Sequence, residues 1–77
     1  MKEHIVVLVT CANGEEASMI GKKLITEKLA ACVNTVKDID SLFHWQGAVD
    51  KAVEVLLVVK TSLHCFDRII DLSLIHI

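Results

Sequence analysis

The run from Cys32 to Gln46, CVNTVKDIDSLFHWQ, limits what this chain can fold into more than any other stretch. It has no helical period and no Gly or Pro, and Val33, Thr35, Ile39, Leu42 and Phe43 suit an extended backbone. Asp38 and Asp40 mark a place for a bulge or bend, and Gln46-Gly47 reads as a tight turn. The return run, Val49 to Lys60, contains VEVLLVV and is too apolar for a strand with one wet face. A strand of about 14 residues at roughly 3.3 Å each spans on the order of 45 Å, against roughly 22 Å for a helix of about 15 residues. The hairpin is therefore expected to overhang its own domain by about half its length. Its tip carries Phe43, His44 and Trp45, and such a tip is most simply a clasp for a neighbouring subunit.

The flanking segments supply the rest of a small α+β domain. Residues 4 to 11, HIVVLVTC, form a continuous β-branched and apolar run, the pattern of a strand buried on both faces. Asn13 is placed to cap a helix, with Glu16 three residues on to complete a capping box. Ala17, Ile20, Leu24 and Ile25 then share a face opposite Lys22, Lys23 and Glu27, and the helix is expected to end near Leu29 or Ala30. After the hairpin, Thr61 or Ser62 can cap a second helix in which Leu63, Phe66, Ile69 and Ile70 share a face. The order β-α-β-β-α lacks one final strand of the ferredoxin-like plan, in which helices cover a single face of the sheet. The apolar strands then leave a second face without a cover. With 77 residues, 53% of them hydrophobic, and a mean hydropathy of +0.54, the chain has more apolar surface than so small a core can bury.

Several function classes are disfavoured. The net charge is −2 with pI near 6.0, and the basic residues are scattered, which argues against nucleic acid as a partner. The first and third strands also lack the aromatics that an RNA-binding sheet needs. No run approaches the roughly 18 apolar residues of a membrane helix, and the strand beginning at His4 leaves no room for a signal peptide. Cys11, Cys32 and Cys65 lie in separate segments with no C-x-x-C, which suits a reducing, cytoplasmic setting. An enzyme is not expected. The only arginine, Arg68, sits in a helix, and Asn13-Gly14 is a turn and cap rather than a phosphate loop.

Metal-ligand signals are sparse. Cys11, at the end of the first strand, reads either as a soft-metal ligand or as a small buried thiol. Cys32 closes an Ala-Ala-Cys junction where small side chains let helix and strand pack closely. His64 and Cys65 are adjacent, so on a helix they point about 100° apart and chelate poorly. His44, beside Trp45 near the hairpin tip, reads as a surface or interface residue or as a ligand shared between subunits. No H-x-x-x-H or C-x-x-C spacing occurs.

VVLVTC, the following Asn-x-Glu/Glu turn, EKLAACVN, SLFHWQG and EVLLVVKT together resemble the CutA family of divalent-cation tolerance proteins, in register from about Ile5 to Phe66. The most specific element is LAACVN followed at fixed distance by the aromatic-x-Trp-x-Gly turn. The resemblance implies a PII-like, ferredoxin-like fold and a homotrimer in which long hairpins extend a neighbour's sheet, with Phe43 and Trp45 at the trimer interface. It also implies a non-enzymatic response to copper or another divalent cation, with no metal required for folding. The alternative within the same fold is a PII-like sensor or scaffold that binds a small effector between subunits. The metal-binding cysteine of some relatives falls where this chain has Val9, so no family metal site carries over.

The chain departs from the family after the second helix, where a motif close to His-Pro-Tyr-Glu-x-Pro and a further strand would follow. Leu72-Ser73-Leu74-Ile75-His76-Ile77 is what CTG TCT CTT ATA CAC ATC encodes, DNA that resembles a transposase-end sequencing adapter. Residues 1–71 are thus expected to be an incomplete domain and residues 72–77 an adapter-derived tail, the alternative being a genuine helix end with Leu72 and Ile75 in the apolar stripe. Without a last strand, HIVVLVTC becomes an unprotected edge and a liability for solubility.

Overall fold

The computed structural model describes residues 3–75. Strand β1 (His4–Cys11) leads into helix α1 (Gly14–Thr26), then strands β2 (Cys32–Trp45) and β3 (Ala48–Ser62). A 3-10 turn (Leu63–Cys65) precedes helix α2 (Phe66–Ile75). The sheet has the order β1-β3-β2, and both outer strands run antiparallel to β3. β1 and β2 are therefore parallel, joined by α1 over a central third strand. This is the split βαβ arrangement expected from the element order.

The first helix begins as its sequence dictates. The Asn13 side chain accepts a hydrogen bond from the Glu16 amide at 2.8 Å. The Glu16 carboxylate reaches back to the Ala12 amide at 3.2 Å, one residue before the cap. The helix stops at Thr26, earlier than the apolar period through Leu29 and Ala30 suggests. Lys28 turns left-handed at φ 58, its amide bonds the Ile25 carbonyl, and the Leu29 amide bonds the Leu24 carbonyl. These are the paired bonds of a Schellman ending, with Leu29 folded against the helix it leaves. Apolar periodicity continues past the last turn because Leu29 caps the core and not because the helix persists.

One face of the sheet meets the helices. Val7, Val9 and Cys11 of β1 and Val55, Leu57 and Val59 of β3 pack against Ala17, Ile20 and Leu24 of α1 and Ile69 and Leu72 of α2. Three sequence expectations change here. Ile25 is exposed, so the buried stripe of α1 is narrower than its apolar residues. Leu63 and Phe66 are exposed, and among the described side chains of α2 the buried ones are Ile69, Leu72 and Ser73. Thr61 does not cap α2: its hydroxyl is buried and donates to the Leu29 carbonyl, tying the α1–β2 turn to the end of β3. Ser62 precedes the 3-10 turn without a side-chain cap, while the Leu63 amide bonds the Glu3 carbonyl at 2.9 Å.

The expected burial of β1 on both faces is not met within one chain. Val6 and Leu8 are 59% and 64% exposed on the side away from the helices. Across the sheet they lie in rows with their partners: Val6, Lys60 and Cys32; Leu8, Val58 and Asn34; Thr10, Leu56 and Val36. This is the uncovered apolar face anticipated from the continuous character of the strands. The other edge of β1 has no partner among the described residues. α2 runs through the 71/72 boundary, with Leu72 in the core and the Ser73 hydroxyl on the Ile69 carbonyl at 2.9 Å. His76 and Ile77 of the expected tail, and the side chains of Leu74 and Ile75, including the expected place of Ile75 in the stripe, lie outside what is described.

Candidate interface and metal-ligand positions

The β2–β3 hairpin projects as an arm. β1 pairs with β3 only from Val55 to Ser62, so Ala48 to Glu54 have β2 as their sole strand neighbour. The longest dimension of the chain is 45 Å, against 22 and 20 Å across it, in keeping with the expected overhang. At the root of the arm β2 carries two residues, Lys37 and Asp38, between Val36 and Ile39, while β3 has Val55 alone between the partners of those two. Asp38 takes φ 58 there, which a short polar side chain tolerates, and the two residues opposite one make a bulge that interrupts the ladder between body and arm. At the tip, Gln46 and Gly47 have φ 50 and 80, both positive as a two-residue type I′ turn requires.

The pairing register sorts the arm's side chains into two faces. Ile39, Ser41, Phe43 and Trp45 lie with Glu54, Ala52, Asp50 and Ala48; by alternation along β3 they share a side with Leu56 and Val58, the open face of the sheet. Asp40, Leu42 and His44 lie with Val53, Lys51 and Val49, on the side that the helices cover nearer the body. Phe43 and Trp45 are thus neighbours on one face, both exposed, and His44 points away from them. The opposite face is as apolar as theirs: Leu42 is 74% and Val49 67% exposed, with Val53 beside them. Val49 and Val53 were not singled out in the sequence. Counting alternate residues back from the Gly47 turn places both beside Leu42.

The ligand candidates do not converge. Cys11 lies at the end of β1 with 1% exposure, inside the core. Burial pushes its thiol pKa up, and the carboxylates of Glu16 and Glu54 add to the shift. The thiolate that a soft metal needs is therefore disfavoured. Cys11 faces Val55 and His44 faces Val49, six residues along β3, which is roughly 20 Å. One ion cannot bind both within a chain. Val9 is a buried core residue. Cys32 lies 3.8 Å from the Asn34 side-chain oxygen at the margin of the open face. His64 and Cys65 are successive residues of the 3-10 turn, Cys65 packed against the core and His64 exposed. Among the described residues no group of three or more His, Cys, Asp or Glu has metal-binding geometry. Arg68 is engaged with Glu27 at 3.5 Å, which also meets Lys23, linking α2 to α1 on the surface. No helix among the described residues is long and apolar enough to cross a membrane.

A family model described as CutA1 divalent ion tolerance protein matches residues 5–75. The divalent-cation tolerance protein CutA of Thermus thermophilus is 47% identical over 64 residues, covering 83% of this chain and 62% of that protein. The CutA of Archaeoglobus fulgidus is 40% identical over 68 residues, covering 88% of this chain and 66% of that one. Among solved structures, CutA1 from Oryza sativa superposes with a TM-score of 0.88 at 39% identity, over 92% of this chain and 66% of its own. The Archaeoglobus structure, described as a periplasmic divalent cation tolerance protein, superposes with a TM-score of 0.90 at 37% identity, over 95% and 71%. The chain thus spans less than two thirds of the length of these two curated relatives.

Proposed function

The chain belongs to the CutA1 divalent ion tolerance family, and on that premise we propose that it acts, without catalysing a reaction, in the response to copper or another divalent cation as a homotrimer. The observation that carries this reading is the arm with two apolar faces, one of them continuous with the open face of the sheet. Contiguous apolar surface on this scale marks an interaction site. A single flat contact would cover Phe43 and Trp45 and leave Leu42, Val49 and Val53 in water. An arm inserted between a neighbour's elements covers both faces, and a closed ring gives every copy the same environment. In that ring Phe43 and Trp45 extend the contact made by Val6, Leu8, Leu56 and Val58.

The metal part of the reading draws on the family and on the chemistry of shared sites. Cys11 is too buried and too far from His44 to share an ion with it in one chain. A cation site of this protein therefore takes His44 together with groups from a second subunit, or ligands from the part of its relatives' length that this chain does not span. A cytoplasmic location is part of this proposal, supported by the three free cysteines, Cys11, Cys32 and Cys65, which fit a reducing compartment. Similar proteins are described as chloroplastic in rice and periplasmic in Archaeoglobus.

Isothermal titration of the assembled protein with copper, and separately with nucleotides, tests the metal reading. Saturable copper binding at one site per subunit is the expected result; its loss in His44→Ala would assign the site to the arm tip, and its persistence to ligands outside this chain's span. Nucleotide binding without copper binding would replace it with the effector-sensing alternative.

A further inference from the structure

We draw no further inference here: the strongest candidate, the cleft of about 650 Å³ at the end of the sheet where β1 begins and β3 ends, lined by His4, Lys28, Lys60, His64 and Cys65, carries nothing because nothing in the structure shows what covers it.

Discussion

The two ends of the β2–β3 hairpin use the same residue types and meet different fates. Near the body, Val55, Leu57 and Val59 alternate into a core closed by α1 and α2. On the arm, Val49 and Val53 continue the same alternation on the same side of the strand, yet they stand in water because no helix reaches them. The dividing line is the bulge at Lys37 and Asp38, opposite the last β3 residue that pairs with β1. Side-chain chemistry alone does not separate core from interface here. Distance from the helices does, and it assigns one half of the strand to folding and the other to association.

If that division holds, substitutions on the two sides of the bulge should fail differently. Leu57→Ala empties a fully buried position and is expected to cost about 3 kcal/mol, enough to unfold much of so small a domain in a urea titration. Leu42→Asp or Trp45→Ala should leave the circular dichroism of the chain unchanged but weaken assembly by at least tenfold, about 1.4 kcal/mol, in sedimentation velocity. A trimer unaffected by both substitutions would show that the arm is not the clasp. A discrete, reversibly melting trimer of this polypeptide would likewise remove the solubility liability assigned to the free edge of β1.

Acidity distinguishes the body from the arm on a smaller scale. The folded-state pKa of Cys11 is raised, so its contribution to stability is fully present below the unfolded thiol value and is lost as pH rises through the folded one. Urea midpoints are expected to fall from about pH 8.5 upward. Cys11→Ala should flatten that alkaline limb while lowering stability at neutral pH, and an unchanged limb would assign it to another group. The smallest effect is at the end of α1. Lys28→Gly relieves a left-handed non-glycine residue and should raise stability by about 0.5 kcal/mol in thermal melts, with no effect on assembly. The adapter-derived origin proposed for residues 72–77 is decided by sequencing the source locus past the Asp71 codon, where the same six codons in intact genomic DNA would refute it.

Much of the fold is legible in local pattern. The β-branched run at β1, the Asn13 and Glu16 cap, the bulge near Asp38 and the Gln46-Gly47 turn each depend on a few neighbouring residues, and each occurs where the sequence places it. The misreadings share another cause. Leu29 extends the period of α1, and Leu63 and Phe66 extend that of α2. Whether an apolar side chain belongs to a helix face or to its closing turn depends on what packs against it. Thr61 had the chemistry of a cap, but its hydroxyl went to the Leu29 carbonyl, 32 residues away in the chain.

By itself, then, the sequence determined the element order, the length of the hairpin and the surplus of apolar surface, since strand rise, helix capping and turn geometry are short-range properties of the backbone. Tertiary structure alone decided which apolar residues enter the core and which remain for a partner. It also separated Cys11 from His44 by six residues of strand and set Phe43 and Trp45 on the open side of the sheet. The physical reason is that burial is a property of neighbours brought together over long range, and alternation along a strand says which residues share a face without saying what will cover it.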